Sequence, residues 1–427
     1  MTNLILIDCH DLGQHLGCYG WTSVPSPNLD VLAAQGVRFT NNFCTAPQCS
    51  PSRAAIYTGR YPHATGMLGL AHPPFDWRLH RNEVHLARHL QRAGYFTAQI
   101  GTQHVTAHDD ASVRALGFDH VARAGVAAEV ADHAIAFLQS APPQPFFLNI
   151  GFVEPHRDAQ GRFKQAPPDS SHGVQVPPYL PQSDAARAEF AELQGVIGAM
   201  DAAVGRIWRT VRDLALDEES WLIFTTDHGL AMPRAKCTLY DPGLKTALIM
   251  VAPSLGLSSG RVYDELISNV DLTPTILEML GLPLPDTLQG RSFAALLRSE
   301  PQEPRAYIFT EKTFHTAYEP QRAIRSARHK LIWNAEAAIM NAPGDIMRSP
   351  IYPEMIHEIV VERPPFELYD LEADPGEGTN LADDPHYAEV ISMLRNELRR
   401  WMEETSDPLL DGPIASPFYH RGRNLLV

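Results

Sequence analysis

The sequence predicts an α/β protein: a large, mostly parallel sheet sandwiched by helices, followed by a smaller C-terminal antiparallel α+β subdomain. Three observations predict it. Short, continuous apolar runs occur at 3–7, 146–150, 221–225 and 247–251, which is how strands buried on both faces read. Helical patterns at 27–35, 84–93, 126–140 and 183–215 lie between them, and this alternation suits a sheet covered on both sides. After Glu300-Pro301-Gln302-Glu303-Pro304 the pattern changes to strand-like runs and one helix. Residues 1–304 are therefore expected to form the α/β unit and 305–427 the α+β unit.

The first run, 3–7, ends in Asp8-Cys9-His10-Asp11. Open α/β sheets place their ligands at such carboxyl ends. Next comes Gln48-Cys49-Ser50-Pro51-Ser52-Arg53. Ser50 is a good N-cap, Pro51 suits the first helical position, and Gly59 can stop the helix in a left-handed turn. Cys49 is thus expected just before a short helix, where backbone N–H groups and the helix dipole favour an anion. Arg53, one turn in, can add a bidentate contact. A reactive cysteine and a buried free cysteine both fit these local features. Residues 154–182 are rich in Pro, Gly and Ser and read as an irregular loop over a site. Beyond the break, strands are expected at 306–310, 323–333 and 366–369, an acidic turn at 374–380 and a helix at 387–404. The tail, 406–427, is expected to drape over the surface or reach a neighbouring subunit in a homo-oligomer.

Composition excludes several classes. Lys+Arg 35 against Asp+Glu 50 leaves a net charge of −15, which disfavours nucleic acid and anionic membranes. A bound sulfate or phosphate must be held by a local cationic pocket. The five cysteines are odd in number and lack metal-knuckle spacing, so a disulfide framework is not expected. No signal-peptide pattern and no apolar run of roughly 20 residues is present, and the expected location is the cytoplasm.

Three further groups follow predicted strands. Thr226-Asp227-His228-Gly229 pairs a carboxylate with an imidazole. Alone it reads as a helix cap, but with Asp11 it suits a divalent cation. His104 closes Gly101-Thr102-Gln103-His104, and His156 lies in Glu154-Pro155-His156-Arg157, where a near-neutral imidazole can protonate a leaving group. Lys236 precedes Cys237 on a turn into the 247–251 strand.

The run Cys-x-Pro-Ser-Arg-x-x-x-x-Thr-Gly-Arg, met by Cys49, Pro51, Ser52, Arg53, Thr58, Gly59 and Arg60, resembles the signature of the type I sulfatases of the alkaline-phosphatase superfamily. The resemblance covers nearly the whole chain. It is greatest to the heparan N-sulfatase (N-sulfoglucosamine sulfohydrolase) branch, through 146–157, 271–277 and 367–382. It implies that Cys49 is converted to formylglycine by a formylglycine-generating or equivalent modifying enzyme. It also implies catalytic roles for Cys49, Arg53, His104, His156 and Lys236. One divalent metal is implied at Asp11, Asp227, His228 and the modified Cys49. His10 stands where the family usually has an aspartate, and Asp8 is an alternative ligand. Calcium is the expected ion, with manganese or magnesium as alternatives; a histidine ligand makes calcium less expected and manganese or another divalent ion more so. Thr102 stands where the family has a sulfate-binding lysine. With Arg157, His315 and Arg322 it is assigned to the substrate side, whereas His15 reads as structural.

The expected activity is hydrolysis of a sulfate ester or sulfamate on a small sugar or aryl substrate. Thr102 and His10 keep two alternatives open. One is a phosphonate monoester or phosphodiester hydrolase on the same fold and nucleophile, and the other a non-catalytic anion- or glycan-binding relative.

Overall fold

The computed structural model describes residues 2–336 and 342–424. Its strands are β1 (Asn3–Cys9), β2 (Val37–Phe39), β3 (Asn42–Phe43), β4 (Phe96–Gly101), β5 (His120–Ala122), β6 (Phe146–Gly151), β7 (Ser220–Thr226), β8 (Leu248–Val251), β9 (Arg261–Tyr263), β10 (Ile267–Ser268), β11 (Ile308–Phe314), β12 (Tyr318–Arg325), β13 (His329–Asn334) and β14 (Phe366–Asp370). The large sheet has eight strands in the order β5-β4-β6-β1-β7-β8-β2-β9. β1 lies at its centre, parallel to β6 on one side and β7 on the other. β8 runs antiparallel to both β7 and β2, so the sheet is mostly but not wholly parallel.

The apolar runs are continuous because both faces are covered. Ile5 and Ile7 of β1 face one core with helices Ala127–Gln139 and Asp184–Asp213. Leu4 and Leu6 face the other core, with helices Cys49–Thr58, Leu86–Arg92 and Leu272–Met279. Alternate residues of a strand point to opposite faces, so each must be apolar. No helix or strand lies between Gly151 and Asp184, as the Pro/Gly/Ser content predicts. No helix among the described residues is long and apolar enough to cross a membrane.

The second sheet is antiparallel, in the order β11-β12-β13-β14. Helix Ala388–Glu404 covers it through Leu394, Leu398, Trp401 and Met402, packed on Ile324, Leu331 and Leu368. The single strand expected over 323–333 is two strands and a turn. The Ser326 hydroxyl accepts from the backbone N–H groups of Arg328 (3.3 Å) and His329 (2.8 Å), a local bond that reverses the chain. The tail contains a helix, Pro417–Asn424, tied down by Arg421 on Asp76 and on the Pro74 carbonyl. Residues 425–427 of the expected tail lie outside the described residues.

Candidate active site

The carboxyl ends of β1, β4, β6 and β7 meet at one edge of the large sheet. Close backbone approach makes this possible at Gly151, where a Cβ atom would stand 1.6 Å from the Thr102 carbonyl oxygen. Any side chain there would push the chain leading to His104 away from β6. Asp11 and His104 both adopt left-handed backbone (φ 52° and 57°), which costs a non-glycine residue about 1 kcal/mol or more. At Asp11 the conformation is held by its N–H, which donates to Asp227 Oδ1 at 3.0 Å. Asp227 Oδ1 also accepts from the His228 N–H at 2.8 Å.

Cys49 is the first residue of helix Cys49–Thr58, with Gln48 as N-cap and Gly59 closing the helix at φ 67°. The expected start is thus moved by a residue or two. Ser50 does not cap the helix; its hydroxyl accepts from the Ala71 N–H at 3.0 Å. Cys49 is buried, its Sγ 3.5 Å from His228 Nε2. Burial and the Asp227 carboxylate push its thiol well above the ordinary range, the opposite of what activates a thiolate nucleophile. His228 Nδ1 donates to the Gly229 carbonyl at 3.0 Å. This leaves the Nε2 lone pair aimed into the site, the tautomer a metal ligand needs.

The donors fit a cation. Atoms of His10, Asp11, Cys49 and Asp227 lie within 4.8 Å of one another, and His228 Nε2 is 3.1 Å from Asp11 Oδ1. His10 Nδ1 lies 3.1 Å from Asp227 Oδ2, whereas His10 Nε2 and Asp11 Oδ1 are buried without a hydrogen-bond partner, a costly state that a bound ion relieves. Burial holds His10 neutral, helped by the Arg53 charge, with its pKa lowered to about 4. Burial alone would raise the Asp227 carboxyl, but His228, His10 and Arg53 hold it well below the usual range.

Lys236 approaches from the other side. Its Nζ donates to Asp11 Oδ2 and Asp345 Oδ2, both at 2.9 Å, and lies 3.2 Å from His156 Nε2. Burial disfavours its charge, but these two carboxylates raise its pKa well above the ordinary lysine value. His156 Nδ1 donates to the Arg157 carbonyl at 2.6 Å, which fixes the ring with Nε2 facing the site. The His104 ring lies 5.3 Å from that of His10. His315 also belongs to this neighbourhood: burial, then the nearby Lys236 charge, lowers its pKa to about 3.

Several expected assignments are corrected. Asp8 is not a ligand, because it pairs with Arg53 and accepts from the Tyr57 hydroxyl. Arg53 is fully buried, donating to Asp8, Asp227 and the Cys9 carbonyl, so it holds the metal-site carboxylate in place; three of its five N–H groups are engaged in this way. Arg157 is buried on Glu189 and on the carbonyls of Ala231 and Gly161. Arg322 is buried on Asp407, away from any substrate. Thr102 contributes its backbone, pairing with Gly151 and Gln99. Asp345 was not read from the sequence. It lies in Pro343-Gly344-Asp345, 109 positions from Lys236, and no motif marks it.

A central parallel sheet, a nucleophile position at a helix start and a carboxylate–imidazole cation site define a metal-assisted hydrolase of the alkaline-phosphatase superfamily. The Sulfatase family profile matches residues 2–282, and the chain belongs to that family. A second profile, N-sulphoglucosamine sulphohydrolase, C-terminal, matches residues 228–350. The chain is similar to N-sulphoglucosamine sulphohydrolase of Homo sapiens, 29% identical over 465 residues, or 96% of this chain and 92% of that protein. It is 30% identical to arylsulfatase A of Homo sapiens over 428 residues, or 89% of this chain and 83% of that one. In fold it resembles a 2-O GAG sulfatase (TM-score 0.76, 22% identity, 97% of this chain and 95% of that one). It also resembles an enzyme solved with its substrate D-glucosamine-2-N,6-O-disulfate (TM-score 0.71, 18% identity, 96% and 99%). The protein is a sulfuric ester hydrolase acting on sulfate esters or sulfamates, and its family implies the formylglycine mechanism and a metal.

Proposed function

We propose that the substrate is a small sulfated or N-sulfated sugar, cleaved at a formylglycine derived from Cys49 by a modifying enzyme of the same cell. The observation that carries the reading is the closure of Cys49, His228, Asp11 and Lys236 into one buried cluster, with His156 at its open side. His10, Asp11, Asp227 and His228 would hold the metal, and two imidazoles among the donors move the choice from the expected calcium toward manganese. When bound, the metal supplies positive charge that favours the ionised nucleophile and the sulfuryl oxygens. Lys236 donates to a sulfuryl oxygen. His156 acts as the imidazolium: with its Nδ1–H kept on the Arg157 carbonyl, it gives its Nε2 proton to the leaving oxygen or nitrogen and becomes neutral, and His104 takes a proton from the second hydroxyl of the hydrated aldehyde. Burial of the cluster keeps water out and strengthens each contact. The reading places the protein in the cytoplasm, where unpaired cysteines such as these persist.

A second reading, phosphonate monoester or phosphodiester hydrolysis, is favoured by Thr102, which stands where a sulfate-binding lysine is expected. Such substrates carry one negative charge, as a sulfate monoester does. The test begins with mass spectrometry of the Cys49 peptide, expected about 18 Da lighter than with unmodified cysteine. N-sulfoglucosamine, 4-nitrophenyl sulfate, bis(4-nitrophenyl) phosphate and 4-nitrophenyl phenylphosphonate are then compared on that verified protein. The sulfated substrates should show the higher kcat/KM, and Cys49→Ala should lower it by at least about a thousandfold. Preference for the phosphorus esters would replace the first reading with the second, and full activity in Cys49→Ala would remove both.

A further inference from the structure

A second pocket of about 320 Å³ opens beside the catalytic cluster, and none of the residues placed in that cluster lines it. Its walls come from the segment after β1, from the 177–179 loop, from the 241–245 turn and from the end of β12. Gly13 and Leu230 form the partition, and Gly13 donates its N–H to the His228 carbonyl at 2.9 Å.

Two features of the lining lack partners within the protein. His15 is 1% exposed, and neither ring nitrogen has a hydrogen-bond partner. Its ring packs on Trp21 (4.6 Å between centroids) and Phe190 (5.3 Å). Both nitrogens are covered by protein atoms, so the ring is part of the pocket wall. Lys245 is the second. Arg325 binds Asp241 through Nε (3.2 Å) and a terminal nitrogen (3.1 Å), and Lys330 takes the same carboxylate. Lys245 makes no ion pair among the described residues, and its nearest aromatic neighbour is the Phe43 ring at 5.8 Å. With Arg325 and Asp241 cancelling, the lining keeps one positive charge.

The remaining lining sets the ligand class. Trp21 and Tyr179 supply apolar ring faces, and Lys245 supplies a polar group beside them. That combination suits a polyhydroxylated ring, whose C–H face stacks while its hydroxyls bond, better than a hydrocarbon chain. The volume lies at the lower end of the range for drug-sized ligands and is enough for one ring. We propose that this pocket binds an acidic monosaccharide, with its anionic group on Lys245 and its ring against Trp21 and Tyr179. The site is separate from the Cys49 centre and does not depend on the reaction proposed there.

The test is titration of the full chain with D-glucuronate, followed by calorimetry and by tryptophan fluorescence, with D-glucose as the neutral control. Glucuronate should bind at least tenfold more tightly than glucose. Lys245→Met should remove at least tenfold of that affinity, whereas His156→Ala in the catalytic cluster should leave it unchanged. Trp21→Phe should keep calorimetric binding and lose the fluorescence change, which places the ligand even if Lys245→Met does not fold. Absence of glucuronate binding, equal binding by a folded Lys245→Met, a retained fluorescence change in Trp21→Phe, or loss of binding in His156→Ala would each overturn the proposal.

Discussion

Lys236 holds one positive charge between two carboxylates, Asp11 and Asp345. Any anionic substrate must compete with both for that ammonium. Metal binding at Asp11 would occupy one competitor, which leaves Asp345 as the group that opposes the anion. Asp345→Asn removes a negative charge at the mouth of the site while keeping the side-chain shape. Inorganic sulfate, the product anion, should then inhibit more tightly by about 1 kcal/mol, or roughly fivefold. Unchanged or weaker inhibition would show that Asp345 does not set the local field. The structure brings Cys49, His156, Asp227, His228 and Lys236 together, and short sequence motifs single each of them out. The roles of the arginines were not readable in this way. Arg157 meets Glu189 across 32 positions, and Arg322 meets Asp407 across 85. Nothing near an arginine in sequence tells whether a distant carboxylate will claim it.

At the scale of elements, types followed from periodicity and ends from individual side chains. Helix Leu86–Arg92 begins two residues later than the apolar pattern because His85 caps it, its Nδ1 accepting from the Ala87 N–H at 3.1 Å. Histidine is outside the usual N-cap set, so the pattern gave no warning. The cap has a pH consequence. Burial, with the neighbouring His89 and Arg88 charges, lowers the His85 pKa to about 3. The folded protein keeps His85 neutral, while the unfolded chain takes up a proton below about pH 6.5. Its contribution to stability is therefore fully present above pH 6.5 and is lost as pH falls toward 3, at about 1.4 kcal/mol per pH unit. His85→Asn keeps an acceptor at the cap and removes the titration. Its stability relative to the unsubstituted protein should improve by roughly 2–3 kcal/mol between pH 7 and pH 4.5 in urea unfolding. A difference that stays constant over that range would mean His85 is not the titrating group.

Among the described residues, the two larger sheets meet at an ionic junction. Glu311 on β11 accepts from the His63 N–H (3.1 Å) and pairs with His63 Nδ1 (2.9 Å), just beyond the Cys49 helix. Arg322 on β12 joins Glu311 to Asp407, which follows the C-terminal helix. All four side chains are buried. The alternation of strands and helices, and the change of pattern after residue 304, foretold a large mostly parallel sheet and a smaller antiparallel one, but not the order of the strands or what fastens one sheet to the other, because both depend on contacts between distant segments. The fastening decides how Arg322 should behave. If it lined the substrate, Arg322→Met would raise KM and leave the melting temperature alone. As a junction residue, its loss strands two buried carboxylates, which should cost about 3–5 kcal/mol in unfolding free energy. Arg322→Met with Asp407→Leu removes one of those carboxylates and should recover part of the loss, because a well-packed apolar pair can replace a buried ion pair. Thermal and urea unfolding of the two single variants and the double variant separate these outcomes. Additive losses would mean that Arg322 and Asp407 act independently and that the junction does not rest on their pairing.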